Sequence, residues 1–518
     1  MPTGSADAGA LDASAIVGVV GAGTMGSGIA QVAAAAGHPV RLFDMQPGAA
    51  ERAKARVVAA LDIDVSKSRT TREAADALSA RLIPVASLEE MKDARLIVEA
   101  IIEDLGAKQS LIGQLEALVA ADTILASNTS SISITAIAAK AKVPGRVVGM
   151  HFFNPVPRMR LVEIVTGLTT GREIAQRLSA TATAWGKRPV LARSTPGFIV
   201  NRIARPFYSE GLRLLGEQVS DVATLDFLLR AGGGFRMGPF EVMDLVGNDV
   251  NYAVTSSIFE AYSFDPRFKP SLKQRELVDA GFLGRKSGRG YYDYEHGTPP
   301  ATTVARLIDC AHVTPEPLLL RGKLRGAEAL AAAGWPITVA ADESPYGLWS
   351  LESANGTLAM SDGRCATELV TLTGQRNVAV CDWWRESPKA ACAVAYAWQC
   401  ADDVKTTLVA PLKALGAAPV EIADTPGLVV LRTVAMLANE AAEAVHQGVA
   451  SAADIDLAMR DGVNYPQGPL EWAQGIGLAT ILGVLAHLHR YYEDDRYRAS
   501  PLLRHHVWAG RAIKDPAS

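Results

Sequence analysis

Short β-branched runs alternate with helix-spaced apolar positions over the first 150 residues. Ile16-Val17-Gly18-Val19-Val20 is the first run. Gly21-Ala22-Gly23-Thr24-Met25-Gly26 follows at once, then Ile29, Val32 and Ala33 at helical spacing, with Gly37 as a stop. Val40 to Phe43 is a second strand and ends at Asp44. Leu96 to Ala100, Thr123 to Ala126 and Arg146 to Met150 are further strands between helical patterns. Such alternation predicts a parallel sheet with helices on both faces. After Thr195-Pro196-Gly197 the pattern turns helical to about residue 280, and Gly297-Thr298-Pro299-Pro300 reads as a domain boundary.

An internal repeat follows. Thr195-Pro196-Gly197 recurs as Thr425-Pro426-Gly427, 230 positions on. At the same shift Arg202 meets Arg432, Glu210 meets Glu440, Asp226 meets Asp456, and Glu241 meets Glu471. The helical segment is therefore present twice. Between the copies, Pro317–Leu320, Pro336–Ala340 and Val378–Cys381 read as strands of a shortened, degenerate sheet domain. The expected organisation is a flexible tail over 1–14, a Rossmann-type α/β domain over 15–194, and an all-α domain over 195–297. A degenerate Rossmann-like domain over 301–420 and a second all-α copy over 421–518 complete it.

Composition narrows the function. The 518 residues are 49% hydrophobic and 20% charged, enough for several buried cores. The net charge of −4 lacks the basic excess of a nucleic-acid binder, and no apolar run approaches a membrane span. Met1 to Ser14 has neither the charge nor the apolar stretch of a signal peptide. The five cysteines, Cys310, Cys365, Cys381, Cys392 and Cys400, show no CxxC spacing. They read as buried thiols in a reducing, cytoplasmic setting, with no metal site.

The glycine turn sits between a strand and a helix, and Asp44 closes the next strand. In that context GxGxxG is a dinucleotide signature. Gly21 allows the tight turn, Gly23 the approach of a pyrophosphate, and Gly26 close helix packing. The helix N-terminus supplies N–H groups, with Thr24 and Met25 in its first turn. Asp44 accepts from a ribose diol and repels a 2′-phosphate, so NAD is expected rather than NADP. Two polar clusters, Ser127-Asn128-Thr129-Ser130-Ser131 and His151-Phe152-Phe153-Asn154-Pro155, also follow strands and face the same crevice. His151 is the candidate base. Glu163 lies mid-strand among apolar residues and needs a partner, for which His151 is the candidate.

With these motifs the chain resembles the L-3-hydroxyacyl-CoA dehydrogenases. The matching stretches are GAGTMGSGIAQVAAAAGH, IVEAIIED, ASNTSSISI, HFFNPVPRMRLVEIV, TPGFIVNR, MGPFEVMDLVG and GRKSGRGYY, spanning residues 16 to 296. The duplicated helical segment is similar to a longer bacterial subgroup associated with 3-hydroxyadipyl-CoA in phenylacetate breakdown and with 3-hydroxybutyryl-CoA. The resemblance implies His151 as base, Glu163 as the carboxylate that orients it, Ser130 beside nicotinamide and substrate, and Asn201 on the substrate oxygen. It implies NAD contacts from Glu103, Lys108, Asn128, Asn154 and Lys286, and a CoA contact from Lys67. A family serine falls on Ala60, a departure that weakens the case for a CoA site on that helix.

In the second copy Leu431 replaces Asn201, and no GxGxxG, SNTSS or HFFNP accompanies it. That copy is expected to be inert and to serve packing, with homo-oligomer formation left open. Arg490, Arg496, Arg498, Arg504, His505, His506, Arg511 and Lys514 read as a solvated basic face, with a patch for CoA phosphates or a partner as the sharper alternative, and Trp383-Trp384 reads as local core. The leading function is NAD-dependent interconversion of a 3-hydroxyacyl-CoA and a 3-ketoacyl-CoA. The alternatives are a silent NAD-binding scaffold and a dehydrogenase of free 3-hydroxy acids. An additional enoyl-CoA-hydrating domain before Ile16 is not expected.

Overall fold

The computed structural model describes residues 9–295, 307–387 and 390–513; the boundary read at Gly297–Pro300 lies outside them. By its internal contacts the chain divides into two compact units. One comprises Met1–Arg202 with Gln447–Val463, the other Ile203–His446 with Asn464–Ser518.

In the first unit, eight strands form one sheet: β1 (Val17–Val20), β2 (Val40–Phe43), β3 (Leu82–Pro84), β4 (Leu96–Glu99), β5 (Ile124–Ser127), β6 (Val147–Phe152), β7 (Leu161–Thr166) and β8 (Arg188–Arg193). Their order is 3-2-1-4-5-6-7-8. β1, β4, β5 and β6 are buried throughout, as near-continuous apolar runs in a covered sheet should be. The strands read from the first 150 residues pair in parallel, as expected, and the sheet then turns back: β6 and β7 are antiparallel, with His151 opposite Glu163. Residues 153–160 are too few for the crossover of about a dozen residues that a parallel pair requires.

Two further departures have local causes. Leu11, in the segment read as a flexible tail, is tied down by its N–H donating to Thr181 Oγ1 at 3.0 Å. The helix Ala452–Val463, from the second helical copy, packs on β7 and β8, and a Cβ at its Gly462 would press into Leu161.

The second unit holds a seven-stranded mixed sheet: β9 (Leu318–Gly322), β10 (Ile337–Val339), β11 (Trp349–Glu352), β12 (Thr357–Met360), β13 (Val378–Cys381), β14 (Ala390–Tyr396) and β15 (Ala417–Glu421), in order 10-9-11-12-13-14-15. Helices of both repeat copies surround one another here. Arg432 pairs with Glu210 at 2.7 Å, both fully buried, and Arg267 pairs with Glu440 at 3.3 Å. The repeat is exact in local chemistry at Gly238 and Gly468, whose N–H groups donate to Glu241 and Glu471 three residues on. Trp383 meets Trp472 edge-on at 5.8 Å, and the five cysteines are free and buried. Arg496, expected on a solvated face, is only 8% exposed. Among the described residues no single helix is long and apolar enough to cross a membrane.

Candidate active site

The glycine turn joins β1 to the helix Thr24–Ala35. Gly21 has φ +101°, where a side chain would be strained, and a Cβ at Gly26 would overlap Gly21 O. At Gly23 a Cβ would meet nothing within 4 Å, so the turn is open on its outer side. Gly23 caps the helix without a side-chain hydrogen bond, leaving first-turn N–H groups for an anion. Asp44 is fixed beside the turn: Oδ2 accepts from Ala22 N at 2.7 Å and Oδ1 from Gln46 N at 2.9 Å. These residues fit a dinucleotide. Arg56, which sequence reading passed over, donates to Ala22 O at 3.1 Å. Nothing in its spacing marks it, because the contact exists only once the following helix is folded back.

The serine-rich loop after β5 is built around one carboxylate. Glu103 Oε1 accepts from Thr129 Oγ1 at 2.6 Å, Ser130 N at 3.0 Å, and Ser131 N and Oγ at 3.1 and 2.9 Å. Burial opposes its charge, but Thr129, Lys108 and the serine donors outweigh that and hold the carboxyl below its ordinary pKa. The resemblance makes Lys108 an NAD contact. The structure instead encloses its ammonium, 1% exposed, between Glu99 at 3.0 Å and Glu103 at 3.4 Å. Lys108 supports Glu103 from behind. Asn128 Oδ1 accepts from Phe152 N at 2.9 Å and so ties this loop to the end of β6. Ser130 is half-buried, and Asn154 is exposed at the start of the next loop.

His151 Nδ1 lies 2.6 Å from Glu163 Oε2, with His151 6% and Glu163 0% exposed. Glu163 Oε1 accepts from Ile199 N and Val200 N, each at 3.0 Å. The carboxylate is thus locked at both oxygens, and it orients the imidazole with Nε2 as the remaining nitrogen. Phe153 and Phe198 flank the ring, with centroids 4.6 and 5.8 Å away. Asn201 follows in the same short helix as Val200 and is half-buried. Lys67 is exposed at the end of the helix Ala49–Ser66. Lys286 belongs to the second unit, where it pairs with Asp249 at 2.6 Å.

The second sheet shows what became of this arrangement. β7 pairs with β8 through Glu163 and Val190, and β14 pairs with β15 through Ala393 and Val420. Both residues of the second pair lie 230 positions on, so Ala393 occupies the place of Glu163. Asp382 N donates to Ala393 O, which puts Asp382 in the place of His151, and Trp383-Trp384 follows as Phe152-Phe153 does. The carboxylate has changed strands but kept its helix: Asp382 accepts from Val429, Val430 and Leu431 N at 2.6–2.9 Å. Burial pushes its pKa up to about 6 despite these donors. No histidine remains in the pair, Asp382 is fully buried with both oxygens taken by backbone N–H groups, and Leu431 is fully buried.

A dinucleotide turn with a histidine–carboxylate pair in the same sheet defines a dinucleotide-dependent dehydrogenase. The chain belongs to the 3-hydroxyacyl-CoA dehydrogenase family. The model of that family's NAD-binding domain matches residues 16–195, and that of its C-terminal domain matches 197–294 and again 427–516. A model described as the 3-hydroxybutyryl-CoA dehydrogenase reduced Rossmann-fold domain matches 358–426. The chain is 42% identical over 488 residues to 3-hydroxyadipyl-CoA dehydrogenase of Escherichia coli (strain K12), covering 94% of this chain and 96% of that one. A crystal structure of 3-hydroxybutyryl-CoA dehydrogenase from Escherichia coli K12 superposes with a TM-score of 0.87 at 41% identity, covering 96% and 99%. A probable 3-hydroxybutyryl-CoA dehydrogenase of Bacillus subtilis (strain 168) is 40% identical over 280 residues, 54% of this chain and 97% of its own.

Proposed function

We propose that the protein oxidises an L-3-hydroxyacyl-CoA to the 3-ketoacyl-CoA, reversibly, at one site per chain built by His151, Glu163, Ser130 and Asn201. The observation that carries this reading is the doubly anchored Glu163 against His151 Nδ1. His151 Nε2 takes the 3-hydroxyl proton as the C3–H bond is cleaved. The resulting imidazolium is stabilised by Glu163, which cannot swing away because Ile199 and Val200 N–H groups hold its other oxygen. Ser130, set by Glu103, and Asn201 orient the substrate oxygen. Bound NAD supplies the hydride acceptor. Gly21, Gly23 and Gly26 with Thr24 and Met25 would seat its pyrophosphate and Asp44 its ribose. Asn128 sets the loop carrying Ser130, while Asn154 and, for CoA, Lys67 stand as further ligand contacts. Five buried free thiols suit a reducing cytoplasm.

The test is NADH formation from L-3-hydroxybutyryl-CoA and 3-hydroxyadipyl-CoA, with acetoacetyl-CoA and longer 3-ketoacyl-CoAs in the reverse direction. Turnover of the CoA esters, with kcat/KM ranking the acyl chains, is expected. Oxidation of the free 3-hydroxy acids alone, or no turnover of any ester, would contradict the proposal.

A further inference from the structure

The second unit contains a cavity of about 270 Å³ between the helices Arg205–Gly216 and Asn248–Ala261, the first turn of Leu272–Asp279, and the turn at Arg496. Arg205, Arg213, Arg267, Arg496, Lys269 and Lys273 line it, and no Asp or Glu does. The carboxylates that balance these cations stand behind the wall: Asp494 on Arg213 at 2.8 Å, and Asp265 and Glu440 on Arg267 at 2.8 and 3.3 Å.

The two repeats partner their arginines differently. Asp265-Pro266-Arg267-Phe268 and Asp494-Asp495-Arg496-Tyr497 are corresponding 3₁₀ turns. In the first, Asp265 accepts from its own Arg267 at both Nε and Nη2. In the second, Asp494 Oδ2 is taken by Arg213, and Asp494 Oδ1 receives only the backbone N–H of Arg496. The Arg496 side chain is more than nine-tenths buried, and its Nε has no hydrogen-bond partner. A buried N–H without an acceptor is costly, and a guanidinium fork matches phosphate geometry. The helix Leu272–Asp279 directs its N-terminal end to the same cavity, which again favours an anion.

We propose that this cavity binds a phosphate group, with Arg496 and Lys269 among its ligands. Its volume suits a phosphate with an attached sugar or waters and is too small for a whole dinucleotide. The group could be the nucleotide end of a CoA ester or a free phosphate. Calorimetric titration of the full chain with inorganic phosphate and with adenosine 3′,5′-bisphosphate separates the two. Saturable binding is expected for phosphate, weakened ~10-fold or more in Arg496→Met and in Lys269→Met, with NADH affinity unchanged. Lys269 is exposed, so its variant keeps the test intact should Arg496→Met not fold. Bisphosphate binding tighter than phosphate and lost in the same variants identifies the CoA end; phosphate binding alone identifies a free phosphate. Non-saturable heats, binding indifferent to both variants, or bisphosphate binding lost only in Lys67→Ala would overturn the proposal. Displacement of phosphate by equimolar acetate would also overturn it.

Discussion

At the scale of single residues, the roles separate by what each side chain touches. His151 has one nitrogen committed to Glu163 and no contact with the glycine turn among its hydrogen bonds. His151→Ala is therefore expected to lower kcat by about 10²- to 10⁴-fold while leaving NADH affinity nearly unchanged in a binding titration. A large loss of NADH affinity would make the histidine structural instead. Asp44, held by Ala22 N and Gln46 N, keeps a carboxylate beside the turn. kcat/KM with NAD is expected to exceed that with NADP by roughly 10²-fold or more, and equal values would contradict the assignment. Lys108→Met should act differently from loss of a cofactor contact. It strands Glu99 in the core, so a stability loss of roughly 3–5 kcal/mol by denaturant titration is expected, together with loosening of the Ser130 loop. Unchanged stability with a raised KM for NAD would restore Lys108 to the ligand. Residue types and spacing located His151, Glu163 and the glycines from sequence because their chemistry demands those types. They could not show that Lys108 is enclosed, since a lysine that supports a loop and one that touches a ligand read alike.

At the scale of elements, the sequence disclosed the helical repeat but not the full extent of the sheet repeat. Thr-Pro-Gly and Gly-Pro are fixed by turn geometry and survive in both copies. The strand pair of the second sheet lacks the first pair's markers: Ala393 stands at the position of Glu163, and the carboxylate that accepts the helix N–H groups is Asp382, at the position of His151. The antiparallel turn between β6 and β7 was equally hidden, being a matter of connection length rather than composition. Asp382 gives this scale its prediction. Its folded-state pKa of about 6 lies above the ordinary 3.8. The folded protein thus holds a proton between those values that the unfolded chain releases. That contribution is full below about pH 4 and is lost as pH rises through 6. Thermal melts should show the wild type losing stability relative to Asp382→Asn from pH 4 to 7. A pH-independent difference would mean that the carboxylate is ionised throughout.

At the scale of the whole chain, two sheets and two helical copies suggest two active sites, and the local chemistry argues for one. The second half has the buried, backbone-bonded Asp382 in place of the histidine and Leu431 in place of the Asn201 amide, and no GxGxxG accompanies them. Asn201→Leu should impair turnover strongly, while Leu431→Asn should add none. The claim of one site rests most directly on cofactor stoichiometry, measured by calorimetric titration of the full chain with NADH. About one tight equivalent per 518-residue chain is predicted. Two tight equivalents per chain would contradict the account.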